Sequence, residues 1–548
     1  MRLNRSSILW LLALVASLPA LLIAYLGQFS RLMGDDWCFF NTALHLGGRD
    51  YFSFWLNNWH SSYTYVALDW ALKHFGPENM PPIVPAITFS LWLLGLLWLY
   101  CLVLRGLDID ANRFLIALVL AFLTLAAFVK GVYDWEALYW YAASTRHSLP
   151  VGFFLIYLAL SWELASRRAS GSRLVVFAVA GAVACFVIAG LSQLQTILQL
   201  ICLTLLMAGI YGIIGGPRSK PYLALYAAGW LGNAVGLILQ LSLPGSATRM
   251  SDMGTVERYN QIRALPELIV ETLETSAAFI GHQGNIAGFI LLFAAGLVAA
   301  LLLVRPGQVR SGRGPSTGNA GPGPAGAGAR YRSAALLLGA FAMLALTQVA
   351  GLHFLASALL YIGALILFAV LAAKLAAATS DCLSRRLVLA AMCGSAFAYC
   401  SLALSIASGH FSIGIVYERT LTFAALLSVL SGLVWGGCLG FLIQRGRTRA
   451  ESAWTRGMIG LGSLVAALLF LNILSLQAGL IPDFATYARE WNARHHRILQ
   501  LRADGERSIT VTPYSYHMTQ AISPVDLEIV GWNCQPYYYG LEAIVMAP

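Results

Sequence analysis

Apolar runs closed by charge or by Pro/Gly recur along the chain, most of them near the roughly 20 residues that carry a helix across ~30 Å of hydrocarbon. They predict thirteen spans, at 7–29, 83–104, 114–129, 149–165, 174–191, 194–214, 222–243, 286–304, 333–350, 353–373, 387–407, 420–443 and 457–480. The reading is an all-α polytopic membrane protein, because within lipid a helix satisfies its own backbone. Composition excludes a soluble globular fold. Hydrophobic residues make up 58% of the 548 and charged residues 11%, against about 25% charged in soluble domains.

Charge sets the expected orientation. The first span, preceded by Arg2 and Arg5, lacks a clean A-x-A-like site and is read as uncleaved. With the N-terminus inside, the cytoplasmic segments hold 21 of the 35 basic residues and five of the 25 acidic ones. That division follows the positive-inside rule, so the net charge of +10 reports orientation rather than a nucleic-acid partner. Thirteen spans then place the C-terminus outside, and regions 30–82, 130–148, 244–285, 408–419 and 481–548 become extracytoplasmic. The lipid bilayer is the expected partner.

The segment 305–332 is a flexible Gly/Pro-rich cytoplasmic linker without means to build a core. It is expected to divide an N-terminal transmembrane module, 1–304, from C-terminal helices, 333–480. In the tail, 481–548, Asp483–Arg502 reads as a helix and Ser508–Thr512 as a strand, predicting a small extracytoplasmic α/β cap.

The first external loop opens with Gly34-Asp35-Asp36-Trp37. Paired carboxylates beside aromatics at a membrane surface bind a cation, accept hydrogen bonds or move a proton; a solvated turn is the plain alternative. Trp59, His60 and Tyr63 follow in a stretch where aromatics alternate with Asn and Ser. Such a mixture suits sugar recognition by ring stacking and hydrogen bonding, or equally an interfacial aromatic belt. The second external loop repeats it with Trp135, Tyr139, Trp140, Arg146 and His147. Arg146, Arg249 and Arg419 each stand at the outer mouth of a span. They form a site for an anionic headgroup or pyrophosphate, or each snorkels or pairs with a nearby carboxylate such as Glu418 or Asp252. Gln193 is a hydrogen-bonding cap or a site residue, and His495-His496 read as solvated. The nine cysteines show no C-x-x-C pair or metal spacing, and neither a metal nor another cofactor is expected. Cys38 and Cys534 are the two assigned to external segments, so a disulfide tying the tail to the Asp35-Asp36 loop is expected.

The order GDDW, WYAASTRHSLP, LPGSATR and YERT resembles the GT-C glycosyltransferases, and within them the bacterial GtrII-type glucosyltransferase-like proteins. The resemblance implies a location in a bacterial cytoplasmic (inner) membrane and transfer of a sugar from a polyprenyl-phosphate donor to an extracytoplasmic acceptor such as a cell-envelope glycan, lipid or protein. It matches Asp35 or Asp36 to the catalytic carboxylate, and Arg249 and Arg419 to basic residues near the lipid phosphate. Trp59-His60-Ser61-Ser62, where relatives often carry Gly-Arg, and Gln193, where an acidic residue is common, depart from the pattern. Other readings are a transporter or flippase of a lipid-linked sugar, a surface-polysaccharide polymerase or ligase, and a non-catalytic scaffold. The spans are nearly free of carboxylates and show no internal repeat, which favours surface chemistry over a path through the bilayer.

Overall fold

The computed structural model describes residues 4–59, 61–107, 109, 112–128, 134–167, 170–213, 216–252, 265–304, 336, 339–340, 342–344, 346–347, 352–379, 382–413, 418–445, 452–512, 514–515 and 534–546. Its helices are α1 Arg5–Gly27, α2 Asp36–His45, α3 Gly48–Asn58, α4 Tyr63–Leu72, α5 Gly76–Gly106, α6 Arg113–Phe128, α7 Asp134–Tyr139 and α8 Tyr141–Ala143. A π turn, Ser144–Ser148, leads into α9 Leu149–Ser166, followed by α10 Gly171–Ala189, α11 Gln193–Ile213, α12 Gly216–Ser242 and α13 Pro244–Asp252. Then come α14 Leu265–Gly281, α15 Gln283–Leu303, α16 Phe354–Thr379, α17 Cys382–Ile413, α18 Thr422–Arg445, α19 Ser452–Gly479, α20 Ile481–Ala503 and α21 Cys534–Tyr539. Strand β1, Ser508–Val511, pairs in parallel with β2, Ala543–Met546.

Among the described residues, eleven helices are long and apolar enough to cross a membrane. Each overlaps one of the thirteen expected spans. Of the other two, α6 has 16 residues and is shorter than the rest, and 333–350 lies largely outside the described residues, so the count of thirteen is not established. The helices face outward with apolar side chains: Leu14, Val176, Val179, Leu464 and Leu468 are all more than half exposed. Continuous apolar surface of this kind belongs against acyl chains rather than water. The chain is thus an all-α, multi-pass membrane protein whose partner is the lipid bilayer.

Three apolar clusters organise the interior of the described residues, two of them among the long helices. One joins α1, α5, α6 and α9 to the first loop and the tail, and the other gathers α15 to α18. Although α15 precedes the 305–332 linker, which lies outside the described residues, it packs along α18, which follows it. Their close approach depends on glycine: a Cβ at Gly436 would fall 2.0 Å from the Phe293 carbonyl oxygen.

The loop 30–82 is not irregular. It forms α2, α3 and α4, whose buried faces enclose Phe39, Tyr51, Trp55 and Tyr65. The tail folds back over it. Cys38 and Cys534 form the expected disulfide, with Cα atoms 4.9 Å apart. Trp37 stacks on Trp491 at 5.7 Å, and the Trp491 indole N–H donates to the Leu32 carbonyl at 3.1 Å. His495, expected in solvent, is buried here: its ring stacks on Trp491, and its Nδ1 lies 2.5 Å from the Tyr539 hydroxyl. The aromatic cluster that covers Trp37 is what removes His495 from water. His496, by contrast, is exposed.

Candidate functional site

The paired carboxylates sit on a turn that glycine permits. Gly34 adopts φ 52°, a left-handed conformation that only glycine takes cheaply, and the chain then enters α2 with Asp35 preceding its first residue. The turn brings the Met33 N–H within 3.0 Å of Asp36 Oδ2. Asp36 Oδ1 accepts from the Trp140 indole and from the Ala142 N–H, both at 3.1 Å. Asp36 is fully buried, with both oxygens engaged by donors from two loops. Burial pushes its carboxyl well above the ordinary range, against the pull of the Met33 and Ala142 N–H groups and with the Asp35 and Asp69 charges adding to the rise. Asp35 is only partly buried, and its side chain does not cap α2. Asp36 thereby ties the two loops together, and Asp35 is the more exposed carboxylate of the pair.

Three arginines from different segments come together beside the pair, with Arg146 at their centre. The charges of Arg249, Asp35 and Arg419 all act on Arg146, which lies on the π turn; such turns inside helices recur at functional sites. Each guanidinium covers an aromatic face: Arg146 lies over Tyr65 at 4.6 Å, Arg249 over Trp59 at 5.3 Å and Arg419 over Trp140 at 4.3 Å. Stacking of this kind orients a guanidinium. Arg249 is delivered by α13, which docks on the first loop through Ser61 Oγ to the Leu243 carbonyl, the Ser246 N–H to Ser61 Oγ and Thr248 Oγ1 to the Asn57 carbonyl. Gln193 belongs to the same joint, its Nε2 donating to Ser246 Oγ at 2.9 Å. His147 stands next to Arg146 and feels the charges of Arg419 and Arg146.

The structure therefore gathers Asp35, Asp36, Arg146, His147, Arg249, Arg419, Trp59, Trp140 and Gln193. Other expected site residues are packing groups. Trp37 is held between Trp491, Tyr538 and Tyr539, with no face left for a ligand. Tyr139 is buried against α1, its hydroxyl donating to the Ile23 carbonyl at 2.9 Å. Tyr63 stacks on Phe186 of α10. His60 and the side chain of Trp135 lie outside the described residues, as do the Glu418 and Asp252 side chains weighed as arginine partners. Among the described residues, no three His, Cys, Asp or Glu side chains gather where they could hold a metal ion.

One group was missed in the sequence. Asp69 is buried beneath the site and accepts a hydrogen bond from the Tyr51 hydroxyl. The signal was available: Tyr65 and Asp69 are four residues apart, a spacing that puts both on one face of α4.

No family model matches the chain, and neither a curated protein nor a solved structure matches it.

Proposed function

We propose that the chain is a membrane glycosyltransferase that moves a sugar from a polyprenyl-phosphate donor to an acceptor hydroxyl outside a bacterial inner membrane. The observation that supports this reading is that one partly buried carboxylate, Asp35, and two further arginines, Arg249 and Arg419, lie close enough for their charges to act on Arg146. A hydroxyl is a weak nucleophile at neutral pH, so Asp35 takes its proton as the oxygen attacks the anomeric carbon. The bond from that carbon to the phosphate oxygen breaks, and its electron pair leaves with the lipid phosphate. The phosphate departs already ionised and needs fixed positive charge rather than a proton donor. Trp59 belongs to the same mouth and is the aromatic surface for sugar or acceptor, while Trp140, buried beneath Arg419, orients that guanidinium. On this reading α2–α4, α13 and the tail lie on the outer side, the tail forms a cap, and thirteen spans run from an inside N-terminus to an outside C-terminus.

The test is transfer by the purified protein in lipid nanodiscs, offered polyprenyl-phosphate sugars and isolated envelope glycan, with products identified by mass spectrometry. Asp35→Asn is expected to lower turnover by about 10²- to 10⁴-fold, the usual share of a general base, with donor binding retained. Full turnover by Asp35→Asn overturns the assignment of the base. Unchanged donor affinity in Arg249→Ala together with Arg419→Ala overturns the assignment of the phosphate site.

A further inference from the structure

Below the candidate site, α11 and α12 carry four fully buried side-chain amides, Gln195, Gln199, Asn233 and Gln240. Both helices are long and apolar enough to cross a membrane. Gln195 and Gln199 are one turn apart on α11, and Asn233 and Gln240 two turns apart on α12, so each helix aligns its pair on one face. One backbone carbonyl at the end of α10 bonds to both helices. Ala189 O accepts from Gln240 Nε2 at 2.6 Å and from Thr196 Oγ1 at 3.2 Å, and Thr196 lies between the two α11 amides in sequence. Both polar atoms of Gln195, Gln199 and Asn233, and Oε1 of Gln240, find no hydrogen-bond partner in the protein.

Amides left unpaired in apolar surroundings are strongly disfavoured, and lipid offers them nothing. The unpaired set is neutral and mixes amide donors with carbonyl acceptors, so an ion does not suit it. What suits it is a neutral molecule that donates and accepts and is small enough to enter a packed helix seam. Water meets these terms, and buried waters typically make about three hydrogen bonds to groups otherwise unsatisfied. We propose that the seam where α11 and α12 meet the end of α10 is a hydration site, holding a cluster of bound water that bridges these four amides. The seam begins two residues beyond Gln193, which binds Ser246 on the helix carrying Arg249. Bound water therefore reaches from the helix interior to the foot of the arginine cluster. This inference is independent of the proposed transferase activity, which its test does not touch.

The experiment is a density map of the unsubstituted protein in lipid nanodiscs, at a resolution that shows ordered water on helix-terminal carbonyls. The expected result is discrete solvent peaks about 2.7–3.2 Å from the amide nitrogens and oxygens, with at least one peak shared by an α11 and an α12 amide. Amides bonded directly to one another or to backbone, with no solvent peak between them, overturn the proposal. Density for a larger molecule in the seam overturns the assignment to water.

Discussion

Replacing Asp36 with alanine orphans three donors at once, the N–H groups of Met33 and Ala142 and the indole of Trp140. At about 1–2 kcal/mol for each buried donor left unpaired, the loss is about 3–6 kcal/mol. Removing a carboxyl that burial already disfavours offsets part of it, so the lower end, about 3 kcal/mol, is the expected net destabilisation. Asp35→Asn, at a partly buried position that caps nothing, is expected to stay within about 0.5 kcal/mol. Thermal unfolding in nanodiscs, followed by tryptophan fluorescence, ranks the two. The same assay run against pH carries a sign. Burial, reinforced by the Asp35 and Asp69 charges and opposed by the Met33 and Ala142 N–H groups, raises the folded pKa of Asp36 above its unfolded value. The folded state then holds the proton more tightly, so the contribution of Asp36 is full below about pH 4 and is lost as pH rises through the folded pKa. Parent protein should lose stability over that window relative to Asp36→Asn. Asp36→Ala melting with the parent while Asp35→Asn melts lower would refute the division of labour, and parallel pH curves would refute the burial argument.

Breaking the Cys38–Cys534 bridge with the double serine variant is expected to destabilise the folded tail by about 2–4 kcal/mol. Limited proteolysis should then cleave within 481–546 sooner, and an unchanged digestion pattern counts against the tie. Gly436→Ala should sharply reduce the yield of folded protein, because its Cβ would meet the Phe293 carbonyl, whereas Gly437→Ala, with open space at its Cβ, should express normally. Equal yields would show that α15 and α18 can separate. Trp140→Phe keeps a ring beneath Arg419 but deprives Asp36 of one donor, an expected loss of about 1 kcal/mol in the melting assay. Trp140→Leu should in addition weaken polyprenyl-phosphate binding, and equal affinities for the two variants would argue against the stacked arginine.

The helices were legible because lipid imposes length and apolarity together, and eleven of the predicted spans need no other signal. The first loop was harder. In α2 and α3 the aromatics are dispersed, and their burial comes from the tail and neighbouring helices, not from a periodic apolar stripe of their own. Trp37 and Tyr139 looked like ligand platforms for the same reason: a sequence shows that a ring is present, while its neighbours decide whether a face is open. Trp37 is closed by Trp491, a residue of the far tail. The arginines could be placed at the mouths of spans from the sequence, but their convergence rests on tertiary docking such as Ser61 against Leu243 and Ser246.

Asp35 and Asp36 were indistinguishable as adjacent letters, and helix geometry separates them. Consecutive residues at a helix start point about 100° apart, at 3.6 residues per turn. Once Asp36 is fixed inward by donors more than 100 residues away in sequence, Asp35 cannot share that environment, and its charge is felt by Arg146 instead. The buried carboxylate still shapes the site, because the Trp140 ring it anchors is the ring beneath Arg419. Freeing that ring removes one of the contacts that position Arg419. If the proposed donor site is right, Asp36→Ala protein recovered in folded form should therefore bind polyprenyl phosphate more weakly, although Asp36 itself is fully buried. On the proposed reading, Asp35→Asn should bind it at least as well as the parent, because it removes a negative charge from the proposed phosphate site. If the two variants bound equally, the chain from Asp36 through Trp140 to Arg419 would be broken.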